Sequence, residues 1–148
     1  MKGFDNHKKV KRHKRHIAVD VEGHVMAVVV HSAGVQDFHG VRLLLTRLAQ
    51  STWPRLNKVL VDAIYKGDRF LAAWIKNTFW GEIEVVEQEP SSKGFQVLPK
   101  RWVVERTFAW LGRNRRLSKD FELHPATSET WVYIAMLALL ARRLALNP

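Results

Sequence analysis

The sequence predicts an α/β domain, a mixed sheet with helices on its faces. Three observations carry this. Two valine-rich runs, 17–21 and 24–30, are split by Glu22-Gly23 and read as an antiparallel hairpin. Downstream, short β-branched runs alternate with segments of helical period. The chain has 148 residues, 47% of them hydrophobic and 26% charged, a balance that suits one globular core. It shows no internal repeat, no low-complexity segment and no composition shift that would mark two domains.

Residues 1–16, MKGFDNHKKVKRHKRH, are polar and basic without apolar periodicity. They predict a basic arm or a fraying strand ahead of a folded domain spanning 17–148. After the hairpin, Asp37 suits the N-cap of a helix from Phe38 to about Gln50, with Val41, Leu44, Leu45 and Leu48 at helical spacing. Pro54 prevents its continuation. LNKVLV, 56–61, predicts a buried strand with Asp62 at its carboxyl end. Gly67 and Asp68 introduce a helix over 69–78, with Phe70, Ala73 and Trp74 on one side. A short strand at 83–86 is followed by the turn-rich loop EQEPSSKG.

Pro99 opens the next predicted helix, which carries RWVVERTFAWLGRNRRLSK, 101–119. Val104, Phe108 and Leu111 are expected to face the core, and Arg101, Glu105, Ala109, Gly112 and Arg116 to lie along another side. Thr127 or Ser128 caps a last helix through about Ala145, whose nearly continuous apolar surface suits core or interface. Its longest apolar run, 131–141, is too short to span a bilayer.

The net charge is +10 and the pI about 10.3. Lys2, Lys8, Lys9, Lys11, Arg12, Lys14 and Arg15 stand against Asp5 alone. Lys100, Arg101, Arg106, Arg113, Arg115, Arg116 and Lys119 stand against Glu105. Clusters of this kind point to a nucleic-acid partner, against the plainer readings of a solubilising surface or a ribosome-like basic protein. The candidate DNA contacts are therefore Lys8, Lys9, Lys11, Arg12, Lys14, Arg15, Arg101, Arg106, Arg113, Arg115, Arg116 and Lys119. Absence of cysteine removes disulfides, thiolate catalysis and cysteine-based zinc sites. No apolar segment follows the cationic start, so no signal peptide is read and a cytoplasmic location without membrane association is expected.

Two carboxylates carry the chemical argument. Ligands of mixed sheets bind beyond the carboxyl ends of strands, which places Asp62 at a site; an Asp capping the next turn is the structural alternative. Glu105 is either the partner of Arg101 in an i, i+4 ion pair or a metal ligand where a polyanion docks. Taken together, two carboxylates among Lys and Arg clusters suit metal-dependent phosphoryl transfer. Mg²⁺ takes oxygen ligands, and two ions about 3.5–4 Å apart activate the attacking oxygen and stabilise the leaving one.

At these residues the chain resembles the C-terminal portion of DDE-type bacterial insertion-sequence transposases of the insertion sequence five group. The resemblance rests on GFDNHKKVKRHKRHIAVDVEG, AVVVHSAGVQD, VDAIYKG, KGFQVLPKRWVVERTFAWLGRNRRLSKDFE and the apolar last helix, which together cover essentially the whole chain. It implies an RNase H-like fold, incomplete at the N-terminus, and DNA-mediated transposition with double-stranded element ends as partner. It also implies that Asp62 is the second catalytic aspartate, Glu105 the catalytic glutamate, and both are ligands of a two-ion Mg²⁺ or Mn²⁺ site. Arg101 matches the basic residue four positions before that glutamate. Leu98 and Gly112 stand where related elements carry tyrosine and lysine, with Arg113 one position further on, and Ala63-Ile64 replace a commoner glycine-containing pair.

The resemblance places the first catalytic aspartate ahead of the GFDNHKKV segment, so a truncated form, inactive on its own, is expected. The alternative is a non-catalytic DNA-binding or oligomerising fragment that modulates an intact transposase. Asp20 would complete a triad by count but matches the turn end of the hairpin. The histidines show no metal-ligand spacing, and His7, His13 and His16 are read as facing solvent or phosphate.

Overall fold

The computed structural model describes residues 3–5, 10–79, 81–86 and 102–146. Its elements are β1 (Gly3–Asp5), β2 (Val10–Val19), β3 (Val25–Ser32), α1 (Asp37–Leu48), β4 (Lys58–Asp62), α2 (Arg69–Phe79), β5 (Glu82–Val86), α3 (Trp102–Gly112) and α4 (Pro125–Leu146). A 3₁₀ turn, Ala63–Tyr65, links β4 towards α2. The α/β class holds, and both strand relations expected of a mixed sheet occur. β1, β2 and β3 pair antiparallel in that order, whereas β4 and β5 pair in parallel. Among the described residues these are two separate ladders, not one continuous sheet. One apolar cluster nevertheless spans both: Ala27 and Val29 pack with Leu44, Leu45 and Leu48 of α1 and Leu71 and Ile75 of α2, flanked by Val59, Val61 and Ile83.

The boundary drawn at residue 16 falls inside β2. His13 to Val19 run in register with β3, from His13 opposite Ser32 to Val19 opposite Val25. Period two then sorts the basic stretch to both faces. Lys14, His16 and Ala18 turn towards α1, where Lys14 meets Asp37 and Ala18 joins the α1 cluster. His13, Arg15 and Ile17 turn the other way, towards the segment after α3 and α4. β3 alternates in the same sense, with Ala27 and Val29 on one core and Val28 and Val30 on the other, beside Leu111, Leu117 and Val132. Two cores on the two faces of one hairpin explain why its strands read as nearly unbroken valine runs.

Several local expectations are corrected. Asp37 is the first residue of α1, not its cap; Gln36 holds the cap position without a side-chain hydrogen bond, and Asp37 is drawn to Lys14 Nζ at 2.9 Å. On α2 the buried residues are Leu71 and Ile75, while Ala73 is exposed and Trp74 partly covered. α3 ends at Gly112, and 113–120 form successive turns in place of a continued helix. Its buried face is Val103, Thr107 and Leu111, one position round from Val104 and Phe108, because Thr107 finds a carbonyl partner across the interface. α4 starts at Pro125, so Thr127 and Ser128 lie within its first turn. EQEPSSKG, Pro99 and Arg101 lie outside the described residues.

Candidate functional site

Asp62 ends the parallel strand β4, where strand and following turn leave its side chain exposed. Its Oδ1 accepts the backbone N–H of Ala63 at 2.7 Å, which caps the 3₁₀ turn. The turn closes at Gly67, whose φ of +77° is the left-handed conformation that glycine tolerates. Asp68 then accepts Leu71 N–H at 3.1 Å and starts α2. A cleft lined by Tyr65, Gly67, Asp68, Arg69, Ala72 and Ile83 lies between this turn, α2 and β5. Burial, then the charges of Asp37 and Asp62, push the Tyr65 phenol up to about 12, so both acids act on one ring.

Glu105 lies in the first turn of α3 on its exposed side, which also carries Ala109 and Gly112. An acid there also complements the positive end of the helix dipole. α3 packs on β2 and α4, whereas β4 packs on β5. The two acids thus sit on elements with different principal neighbours. Oxygen donors of this kind suit Mg²⁺ or Mn²⁺. Among the described residues, however, no group of three or more His, Asp or Glu side chains could hold a metal ion.

Asp20 is committed elsewhere. It accepts the backbone N–H groups of Glu22 and His24, each at 2.9 Å, and His24 Nδ1 at 3.0 Å. Burial raises its pKa, but these hydrogen bonds outweigh burial and the net direction is downward. Arg143 Nη1 lies 2.8 Å from His24 Nε2. Since guanidinium only donates, Nε2 is the bare nitrogen and Nδ1 carries the proton towards Asp20.

The basic residues divide into two groups. Arg106 donates to the Glu22 carbonyl at 2.9 Å, with its guanidinium carbon 4.2 Å from the Trp102 ring centroid and 4.7 Å from that of Trp110. Arg15 donates to the carbonyls of Leu117 (3.0 Å) and Lys119 (3.3 Å), and burial lowers its pKa more than Asp120 restores it. Lys14 serves Asp37 and the Val35 carbonyl. Arg116 faces Glu122 at 3.5 Å and the Trp131 ring at 5.4 Å. Arg113, Arg115 and Lys119 are exposed on the turns after α3. Arg12 lies on β2, partly buried, and Lys11 is placed on β2 by its backbone. Lys8, Lys9 and Arg101 lie outside the described residues.

Sequence reasoning missed that the segment after α3 is bolted to β2. Asp120 accepts both His13 N–H at 2.9 Å and His13 Nδ1 at 3.1 Å, next to the Arg15 contacts. The alternation of residues 13–19 into a known strand was the available signal.

The sequence matches the family described as Transposase DDE domain over residues 1–140. The chain belongs to this family. No curated protein and no solved structure matches it. Membership in the DDE family accords with an α/β chain that is strongly basic and presents exposed acids on β4 and α3. No helix among the described residues of this DDE-family chain is long and apolar enough to cross a membrane.

Proposed function

We propose that the chain acts in DNA-mediated transposition of a bacterial insertion sequence, binding double-stranded element ends through an RNase H-like domain. The family match over residues 1–140 carries this reading. Asp62 and Glu105 are its carboxylate ligands for divalent metal ions, Mg²⁺ or Mn²⁺, which supply Lewis-acid activation of the phosphate when bound. Placement of Asp62 at the carboxyl end of a parallel strand supports that role. Arg113, Arg115 and Lys119, exposed on the turns after α3, hold the phosphate backbone.

These 148 residues alone bind DNA without cutting it. The exposed cations after α3 supply the binding surface, whereas Asp62 on β4 and Glu105 on α3 sit on elements with different principal neighbours. Incubating the purified chain with element-end DNA and Mg²⁺ or Mn²⁺ tests this. Salt-sensitive binding without strand scission is the expected result. Metal-dependent cleavage that disappears in Asp62→Ala overturns the inactivity. Absence of binding at low salt overturns the DNA reading itself.

A further inference from the structure

We propose that His16 and His31 form an acid-sensitive latch holding α1 against the β2–β3 hairpin. The latch stands independently of the DNA reading. Both residues face α1, and their rings stack with centroids 4.8 Å apart and planes 20° from parallel. His31 Nδ1 lies 2.8 Å from the Ser32 carbonyl oxygen, which only accepts, so Nδ1 carries the proton and Nε2 of the neutral ring is bare. Nε2 of His16 and Nε2 of His31 are both buried without a protein hydrogen-bond partner.

Gly40 of α1 closes over the two nitrogens. A Cβ at that position would fall 2.3 Å from His16 Nε2 and 2.4 Å from His31 Nε2. The helix backbone therefore covers the Nε2 sides of both rings, and only glycine permits that approach. A proton on either Nε2 would be a buried N–H without acceptor, next to a second imidazole.

The charged groups around the pair are few. Lys14 of β2 disfavours a proton, and Asp37 of α1 favours one but is already engaged by Lys14 at 2.9 Å. Burial first, then His31, lowers the His16 pKa to about 4, with Asp37 a partial offset and Lys14 adding to the depression. Once α1 lifts away, the ring sheds the burial that is the largest cause, and its pKa rises towards the ordinary value of 6.5. The closed form is thus fully favoured above pH 6.5 and progressively loses its advantage as pH falls from 6.5 towards about 4.

Hydrogen exchange of the full chain, normalised for intrinsic rates and referenced to α2, reads the latch directly. Between pH 7 and pH 5 the opening constant of α1 rises severalfold, up to roughly twenty-fold where the opened ring reaches 6.5, for one proton taken up by the opened state. His16→Gln and His31→Gln each flatten that rise. Where a variant does not fold, imidazole nitrogen shifts of the unmodified chain decide. A His16 Nε2 midpoint well below 6.5 that moves with α1 opening supports the latch. An ordinary midpoint with unchanged α1 protection overturns it, as does an undiminished acid dependence in folded glutamine variants.

Discussion

Glu129 Oε1 accepts the backbone N–H of Val30 at 2.9 Å, which ties α4 to β3. Its second oxygen meets Arg47 of α1, whose guanidinium also reaches the Val28 carbonyl at 3.4 Å. One carboxylate and one guanidinium thus satisfy a donor and an acceptor on β3 and join two helices to it. An edge strand otherwise presents such groups for pairing with other chains.

Replacing Glu129 with Ala leaves the Val30 N–H without its acceptor and should cost about 2 kcal/mol. For a chain of this size that corresponds to a melting temperature lower by roughly 4–8 °C. Glu129→Gln keeps a carbonyl oxygen for Val30 and should lose distinctly less. Thermal denaturation of the two variants side by side checks this, and equal losses would count against the contact.

Gly23 is where the hairpin turn receives α3. Its φ is +85°, and an added Cβ would lie 2.7 Å from Thr107 Oγ1 and 3.0 Å from the Trp110 ring. Thr107 is fully buried, its hydroxyl 2.8 Å from the Gly23 carbonyl and 2.9 Å from that of Val103, so its one proton serves one carbonyl at a time. Gly23→Ala should cost about 2–4 kcal/mol, combining left-handed strain with overpacking. Urea unfolding measures it, and a neutral outcome would mean that α3 does not dock on the turn.

The cores can be separated from the exposed side of α4. Ile75 is completely buried, whereas Leu137 is 66% exposed. Ile75→Ala should destabilise by about 2–4 kcal/mol, and Leu137→Ala by no more than about 0.5 kcal/mol. A large loss at Leu137, dependent on protein concentration, would show that this face is covered by another chain.

The two groups of basic residues make opposite predictions. Arg113→Gln, Arg115→Gln and Lys119→Gln should each reduce the salt slope of DNA binding by about 1 and leave unfolding unchanged. Arg15→Gln removes the donor to Leu117 and Lys119 and should lower stability by about 1–2 kcal/mol. Fluorescence anisotropy against ionic strength, paired with unfolding curves, distinguishes the two behaviours.

Tyr65 reports on Asp62. The neutral phenol is favoured in the folded chain, so its contribution is complete below pH 10.0 and is lost as pH rises towards about 12. Asp62→Asn and Asp37→Asn should each bring the tyrosine midpoint down. Carbon-13 NMR of the ring carbon bearing the hydroxyl follows this, and an unmoved midpoint in both variants would remove the link between the acids and the phenol.

Much of the architecture was legible in local sequence. The Glu22-Gly23 turn, the valine runs, Asp62 after LNKVLV and the helical periods read over 38–50 and 69–78 all express steric and hydrophobic preferences within a few residues. The acids Asp62 and Glu105 stood out because carboxylates at a strand end and among cations are chemically informative wherever the chain goes. Cation clustering, by contrast, said nothing about which cations remain on the surface. Charge is a property of composition, but whether Arg15 meets carbonyls or phosphate depends on which segment arrives beside it. The same holds for α3, where a shift of one residue in the buried face followed from the Gly23 carbonyl, 84 residues away in sequence from Thr107. It holds again for His16 and His31, ordinary in the sequence and stacked under a helix backbone only because Gly40 lets α1 approach both rings. Sequence alone determined the elements from the hairpin onward, their order and the acids on offer, since those follow from short-range sterics and side-chain chemistry. Tertiary structure alone decided which polar groups are spent inside the fold, because burial and hydrogen-bond partners come from chain segments far apart.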